Sequence, residues 1–149
     1  MAKVRITKEF RFEASHALLN YDGLCKNIHG HSYILFVTVI GEPVTNESDP
    51  KLGMLMDFGD LKRIVKKEIV DVLDHSVILN NKAEYQPFIN VKEMFDRIHL
   101  LDYQPTCENM VVDFAEKIIK RLPKNVEIYS VKLYETATSN AEWYASDNL

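Results

Sequence analysis

The chain has 149 residues, of which 46% are hydrophobic and 27% are charged, so we expect one ordinary globular domain over residues 1–149. Its formal net charge of −4 provides no basic surface for nucleic acid or an anionic membrane, and neither is expected as a partner. No apolar run reaches the roughly 20 residues that span a bilayer, and the N-terminus carries no signal-peptide segment, so a cytoplasmic location is expected.

Two strands are predicted in the first 40 residues. Between residues 4 and 14 every even position except Lys8 is apolar, which is the period of a half-buried strand. Residues 32–40 are rich in aromatic and β-branched side chains on both faces, which predicts a strand covered on both sides. The turn-rich segment 41–53 follows as a long loop.

Two amphipathic helices are predicted in the middle of the chain. The first covers residues 58–73, where apolar side chains recur at three- and four-residue steps and Asp57 is the N-cap. The second covers about 107–122, between the capping residue Thr106 and Pro123, which ends it.

The rest of the chain is predicted as one short helix and two strands. An Asn90-x-x-Glu93 capping box predicts a short additional helix that reaches Ile98. Residues 127–135 return to strand periodicity, and residues 141–145 predict a short final strand. One face of the first of these strands is expected to hold Tyr129, Val131 and Leu133.

The element order is β-β-α-α-β-β, which predicts an α+β fold. We expect a four-stranded antiparallel sheet with the two main helices on one face. Such a sheet has two open edges and an uncovered second face, which proteins usually hide. The sequence therefore predicts a homo-oligomer.

Three histidines indicate a metal site. His29 and His31 point to the same face of one strand, and His16 continues the buried face of the strand before it. If these strands form a hairpin, the three imidazoles converge and leave one coordination position open, as in catalytic zinc sites. A His-x-His pair alone is a weak signal because cupin-like β-barrels also use it, but two helices in mid-chain argue against such a barrel.

Cys25 lies four residues before His29 and is a candidate reactive thiol, because a nearby dication lowers the pKa of a thiol. The alternative is a small buried hydrophobe, but the flanking residues are typical of a loop. Cys107, at a helix start, is expected to be structural.

Three acidic positions and one further histidine are also candidates. Glu135 continues an apolar strand face, and a buried carboxylate needs a partner, which an amino group of a ligand would supply. Asp74-His75 ends the first helix, where the histidine either caps the helix or relays protons. Glu108 lies in the first turn of the second helix, where a favourable interaction with the helix dipole is enough to explain an acidic residue.

Six motifs follow one another along nearly the whole chain: Phe12-Glu13-Ala14-Ser15-His16, Cys25-x-x-x-His29-Gly30-His31, Met56-Asp57-Phe58-x-x-Leu61-Lys62, Leu73-Asp74-His75, Pro105-Thr106-x-Glu108-Asn109 and Leu133-Tyr134-Glu135-Thr136. Together they resemble the 6-pyruvoyltetrahydropterin synthase and 6-carboxytetrahydropterin synthase family. The resemblance implies the tunnelling fold, in which subunits join their sheets into a barrel and assemble as trimers or hexamers with pockets between subunits.

The resemblance also implies a lyase that acts on 7,8-dihydroneopterin triphosphate with Zn2+ as cofactor. It implies three groups of residues: the zinc ligands His16, His29 and His31; the proton-transferring Cys25 with its relay Asp74 and His75; and the pterin-binding Thr106, Glu108 and Glu135, of which Glu135 also counts as catalytic.

The spacing of Cys25 and His29 resembles the Cys-x3-His pattern of the bacterial 6-carboxytetrahydropterin synthases of queuosine biosynthesis, whereas the animal enzymes resemble a Cys-x5-His pattern. We therefore expect the products 6-carboxy-5,6,7,8-tetrahydropterin, acetaldehyde and triphosphate. The alternatives are 6-pyruvoyltetrahydropterin synthesis, by triphosphate elimination, and a non-catalytic zinc-binding assembly protein on the same fold.

Overall fold

A long hairpin, formed by β1 (Val4–His16) and β2 (His29–Gly41), lies at the centre of the structure. The structure is a computed structural model that describes residues 2–84, 93–94 and 96–149. The two strands pair antiparallel along their whole length, from Val4 opposite Gly41 to His16 opposite His29. Buried and exposed side chains alternate, so the even residues of β1 and the odd residues of β2 face the interior.

Within the described ranges the hairpin belongs to a mixed sheet with the strand order β4-β3-β1-β2-β5-β6. Its outer strands are β3 (Ser76–Asn80), β4 (Ile98–Leu101), β5 (Val126–Thr136) and β6 (Ser139–Tyr144). The antiparallel β5 and β6 complete the predicted four strands and confirm the α+β class. The parallel strands β3 and β4 are not predicted by the sequence, because runs of five and four residues are too short to show a period.

The first predicted helix is confirmed. α1 (Phe58–Val65) continues through a π-helical turn (Lys66–Val70) into a last α-helical turn (Asp71–Leu73). The carboxylate of Asp57 accepts a hydrogen bond from the backbone N–H of Gly59 at 2.7 Å, which makes Asp57 the N-cap as predicted.

The second predicted helix is also confirmed, although it ends three residues earlier than expected. α2 (Cys107–Ile119) is capped by Thr106, whose hydroxyl oxygen accepts a hydrogen bond from the backbone N–H of Asn109 at 3.2 Å. A short helix, α3 (Ala145–Asn148), ends the chain. In the part of the chain that the structure describes, no helix has the length and apolarity to cross a membrane.

Both main helices pack on the inward face of the sheet, as predicted. One core cluster joins the inward side chains of β1, β2 and β5 to the apolar stripes of α1 and α2. Its largest members include Phe12, Leu35, Leu61, Phe114 and Leu133, each at most 2% exposed. Burying these side chains supplies the main stabilisation of the fold.

Tyr129 does not lie on the face that the sequence predicts. The β2–β5 register shifts between Thr38 and Val39, so Ile128 rather than Tyr129 takes the inward position. The ring of Tyr129 lies 3.8 Å from the guanidinium carbon of Arg5 instead. The expectation for Tyr129 was wrong because a β-bulge adds one residue and interrupts strict alternation.

The outward face of the sheet carries half-buried apolar side chains. Phe36 and Tyr134 meet edge to face there, with 6.1 Å between ring centroids. The sequence of β2 predicts that both faces of this strand are covered. The described helices pack on the inward face, so they do not cover the outward one.

The predicted short helix after Asn90 falls mostly outside the described residues. Ile98, at the expected end of that helix, begins β4.

Candidate metal centre

The three histidines singled out by the sequence converge at one end of the β1–β2 hairpin. His16 lies directly opposite His29, and His31 lies opposite Ala14, one inward position further along β2. The Nε2 atoms of His16 and His29 are 3.1 Å apart, and one ligand atom from each of the three imidazoles lies within 4.8 Å of the others. The three residues could therefore form a metal site.

Two of these imidazoles are fixed by backbone carbonyl groups. Nδ1 of His16 hydrogen-bonds the carbonyl oxygen of Pro105 at 2.7 Å, and Nδ1 of His29 hydrogen-bonds that of Asn27 at 2.7 Å. A carbonyl oxygen only accepts, so each Nδ1 carries a proton, and in a neutral imidazole the Nε2 then presents a lone pair. Outer hydrogen bonds of this kind orient imidazoles that ligate metals. Sequence patterns do not reveal these partners, because a carbonyl group belongs to every residue.

Burial favours the neutral imidazole, which is the form that binds metal. His16 is 1% exposed, and burial chiefly lowers its pKa below the ordinary 6.5. Burial also lowers the pKa of His31, against the smaller opposing effect of the Glu135 charge. The Nε2 atom of His31 is buried and has no hydrogen-bond partner among the described residues, so its lone pair is free to bind a metal.

Glu135 lies at the same end of the sheet, on the inward side of β5. Its Oε1 atom is 3.4 Å from Nε2 of His16 and 3.6 Å from Nε2 of His31, and its side chain is 27% exposed. The carboxylate that strand alternation places on an apolar face thus lies beside the histidine cluster and remains partly exposed.

Cys25 lies on the connection between the two histidine-bearing strands. It is exposed in a 3-10 turn (Leu24–Lys26), and its carbonyl oxygen accepts a hydrogen bond from the N–H of Leu18 at 3.0 Å. The side chain of Gln104 holds the same connection by accepting from the N–H of Leu19 at 3.1 Å and donating to its carbonyl oxygen at 2.8 Å. The loop carrying the thiol is therefore anchored near His16.

Asp74 and His75 form a pair directly before β3, whose first residue Ser76 pairs with Ala14, the residue opposite His31. Oδ2 of Asp74 is 3.0 Å from Nδ1 of His75, and its Oδ1 accepts a hydrogen bond from the backbone N–H of Glu13 at 2.9 Å. This backbone bond is the main reason why the pKa of Asp74 is lowered. The guanidinium of Arg97 donates to the carbonyl oxygens of Asp71, Val72 and Asp74 and so fixes the end of the helix that carries the pair.

The Asp74–His75 pair lies beside a shallow cavity of about 310 Å3. The cavity is lined by Glu13, Ala14, Ser15, Gly30, His31, Ser32, His75 and Ser76. Its polar members Glu13, Ser15 and Ser32 alternate with inward residues of β1 and β2, so the cavity opens on the outward face. Within the described ranges, neither Asp74 nor His75 makes a hydrogen bond or ion pair with the three histidines.

The remaining candidates lie at the start of α2. The hydroxyl of Thr106 accepts the capping bond, and Glu108 is exposed in the first turn. Cys107 is buried, its thiol donates to the carbonyl oxygen of Leu133 at 3.2 Å, and burial raises its pKa to about 12. A neutral, buried thiol agrees with the structural role expected for Cys107.

Known proteins resemble this chain in sequence and in structure. The sequence model described as 6-pyruvoyl tetrahydropterin synthase matches residues 5–146. The 6-carboxy-5,6,7,8-tetrahydropterin synthase of Haemophilus influenzae is 36% identical over 93% of this chain and 97% of that protein. The 6-pyruvoyl tetrahydrobiopterin synthase of Pongo abelii is 32% identical over 90% of this chain and 86% of that protein.

The crystal structure of an uncharacterized protein from Wolinella succinogenes has a TM-score of 0.81 to this chain and covers 97% of it, with 99% of that protein covered. Its identity of 21% shows a shared fold. The family match over nearly the whole chain, together with the identity to these relatives, shows that the chain belongs to the 6-pyruvoyl tetrahydropterin synthase family and has its tunnelling fold.

Proposed function

We propose that the protein is a zinc-dependent lyase that converts 7,8-dihydroneopterin triphosphate and water into 6-carboxy-5,6,7,8-tetrahydropterin, acetaldehyde and triphosphate. The observation that carries this proposal is the convergence of His16, His29 and His31 in a chain of this family. The name of the Haemophilus influenzae relative supports this product, as does the spacing of Cys25 and His29. The name of the Pongo abelii relative makes 6-pyruvoyltetrahydropterin synthesis the second candidate.

Zinc fits the residues of this centre. Three imidazoles are a ligand set of catalytic zinc, and the buried Nε2 of His31 lacks a hydrogen-bond partner in the described part of the chain. His16, His29 and His31 would hold the ion and leave a coordination position for the hydroxyl groups of the substrate. When bound, zinc supplies a Lewis acid that acidifies the C–H and O–H bonds next to those hydroxyl groups.

Cys25 is the proposed proton-transferring thiol. It is exposed on the connection between β1 and β2, at the end of the hairpin where His16 and His29 pair. A thiolate there can take a proton from the side chain of a bound substrate and return it at a neighbouring carbon. A cytoplasmic location, where thiols stay reduced, is part of the same proposal.

Asp74 and His75 are the proposed relay. The Asp74 carboxylate would hold the Nδ1–H of His75 and leave its Nε2 to exchange protons. Because the pair lies beside the outward cavity, we propose that it serves the metal centre of a neighbouring chain in a trimer or hexamer. The outward face, which carries Phe36 and Tyr134 and is not covered by the described helices, supports such an assembly.

The pterin ring would be held by Glu135, Thr106 and Glu108. The carboxylate of Glu135 can accept two adjacent N–H groups from the guanidine-like edge of a pterin. The Thr106 hydroxyl accepts the capping bond through its oxygen, so its proton remains available for the ligand. Glu108 is exposed one residue beyond the start of α2, where its charge can reach a bound ligand.

Mass analysis of the products formed from 7,8-dihydroneopterin triphosphate by the zinc-loaded protein tests the proposal. Equimolar 6-carboxytetrahydropterin and acetaldehyde are the expected products. A 6-pyruvoyl product would establish the second candidate. Bound zinc without turnover would instead indicate a non-catalytic zinc-binding assembly protein.

A further inference from the structure

The connection between β1 and β2, residues 17–28, carries Cys25 but is too long for the hairpin alone to fix its course. A hairpin loop of about two to five residues takes its shape from the turn itself, whereas a longer connection depends on contacts outside it. Apolar burial contributes little at its tip, because Tyr21 is 46% exposed and Leu24 is 88% exposed. Hydrogen bonds must therefore hold this connection in place relative to the histidine cluster.

The side-chain amide of Gln104 pairs with both backbone groups of Leu19. Its Oε1 accepts from the N–H of Leu19 at 3.1 Å, and its Nε2 donates to the carbonyl oxygen of Leu19 at 2.8 Å. A backbone N–H only donates and a carbonyl oxygen only accepts, so the orientation of the amide is unambiguous. Its Oε1 also accepts from Nδ2 of Asn80, the last residue of β3, at 3.3 Å. In the described part of the chain, the other hydrogen bonds of residues 17–28 lie within that connection or run to His29.

A further hydrogen bond leads from this point to Cys25. The N–H of Leu18 donates to the carbonyl oxygen of Cys25 at 3.0 Å. Because Leu18 and Leu19 are consecutive, the amide of Gln104 holds the backbone on which this donor lies. The position of the residue that carries the thiol therefore depends on Gln104.

The backbone of residues 104–105 is itself fixed on two sides. The carbonyl oxygen of Gln104 accepts from the N–H of Thr106 at 2.7 Å and from Nδ2 of Asn109 at 3.0 Å, which ties it to the start of α2. The carbonyl oxygen of the next residue, Pro105, holds Nδ1 of His16 at 2.7 Å. Two consecutive residues thus hold one of the three imidazoles and the connection that carries the thiol.

We propose that Gln104 is a positioning residue that sets where the thiol of Cys25 lies relative to the histidine cluster. It acts through the backbone of Leu19 and touches neither the metal nor the substrate. The proposal rests on the proposed function, in which Cys25 transfers protons beside a metal held by the three histidines.

Gln104→Leu tests the proposal, because leucine cannot hydrogen-bond Leu19. Amide hydrogen exchange should become about tenfold faster at Leu18 and Leu19 and should stay unchanged within the β1–β2 pair. The zinc content should also stay unchanged, since the partner of His16 is a backbone carbonyl group that every variant keeps. Unchanged exchange at Leu18 and Leu19 overturns the proposal.

Tyr103→Phe is the matched control. Tyr103 is the neighbour of Gln104 in the chain, and its hydroxyl donates to Asp113 on α2 at 2.7 Å. The variant loses a hydrogen bond of the same segment but none to the connection, so exchange at Leu18 and Leu19 should match the wild type. The same acceleration in Tyr103→Phe would show a general loss of stability and would overturn the role of Gln104.

Alkylation of Cys25 by iodoacetamide, with and without zinc, measures the position of the thiol without a substrate. Peptide mapping separates Cys25 from the buried Cys107. Zinc should accelerate alkylation in the wild type, because a nearby dication raises the thiolate fraction. In Gln104→Leu this acceleration should be largely lost at equal zinc content. An equal acceleration in both proteins, or none in the wild type, overturns the proposal.

Steady-state kinetics separates this proposal from the proposed function. Zinc-loaded Gln104→Leu should lose about tenfold or more in kcat at nearly unchanged KM, because proton transfer depends on the placement of the thiol. Tyr103→Phe should keep both constants. A raised KM with an unchanged kcat overturns the role of Gln104. A wild-type protein without turnover removes the proposed function, while hydrogen exchange and alkylation still decide whether Gln104 positions Cys25.

Discussion

The Nε2 atoms of His16 and His29 lie 3.1 Å apart because the two residues are directly opposite each other in the β1–β2 register. Opposite side chains of an antiparallel pair are the closest on a sheet, and a neighbour two residues along remains within reach of a long or aromatic side chain. His31 occupies that neighbouring position. A shift of one residue in this register would send an imidazole to the outward face, so the register itself brings the three imidazoles of the candidate metal site together.

Replacing His31 by alanine should remove most of the bound zinc and nearly all turnover, because two imidazoles alone make a poor zinc site. Metal analysis of the purified protein gives the zinc content per chain. His99→Ala is the matched control, since His99 lies on the edge strand β4 and should leave the zinc content unchanged. One equivalent of zinc in His31→Ala would disprove the proposed ligand set.

The metal-free protein should lose stability as the pH falls through about 6.5. His16 and His31 have lowered pKa values in the folded state, so the unfolded chain binds more protons below its ordinary value of 6.5. The free energy of unfolding is therefore lower at pH values below 6.5, and this destabilisation disappears as the pH rises above 6.5. Urea unfolding between pH 5 and 8 measures the slope, which should be smaller in His16→Gln. An equal slope in both proteins would show that His16 does not contribute.

Replacing Cys25 by alanine should abolish turnover while zinc content and fold are kept, because its thiol is exposed at the end of the hairpin. Cys107→Ala should keep turnover and lose about 1 kcal/mol of stability with the hydrogen bond to Leu133. Steady-state rates and urea unfolding of both variants provide the comparison. Wild-type activity in Cys25→Ala would end its assignment as the base.

Glu135→Gln should weaken the binding of a non-reactive pterin by one to two orders of magnitude. The substitution keeps the shape but removes the charge and one acceptor, and a charge-assisted hydrogen bond contributes about 1.5–3 kcal/mol. Calorimetric titration and metal analysis are run together. Unchanged pterin affinity with lost zinc would make Glu135 a metal ligand rather than the pterin anchor.

Mixing two inactive variants tests whether the site is shared between chains. His31→Ala lacks the metal centre and His75→Ala lacks the relay, so hybrid oligomers formed after joint refolding should regain part of the activity. Light scattering should show a multiple of three chains at micromolar concentration. An active monomer, or a mixture that stays inactive despite subunit exchange, would place the relay and the metal centre within one chain.

Several features of this fold follow from local patterns and are predictable from the sequence. Asp57 and Thr106 cap the helices that their positions predict, since a cap depends only on residues within one turn. The alternation in β1 and β2 places the three histidines on one face for the same reason. Tyr129 departs from the pattern because it is the extra residue of a β-bulge in the β2–β5 pair, which local alternation does not encode.

The sequence by itself determined the strands of the β1–β2 hairpin, the two main helices with their caps and the shared face of His16, His29 and His31, because these depend on spacing along the chain, whereas β3 and β4 were not predicted. Only the tertiary structure decided that the carbonyl of Pro105, 89 residues from His16, fixes its tautomer. It also placed Asp74 and His75 beside the outward cavity and left the hydroxyl of Tyr33 without a partner in the described chain. These relationships arise from the packing of distant segments, and no local period of the sequence records which atoms that packing brings into contact.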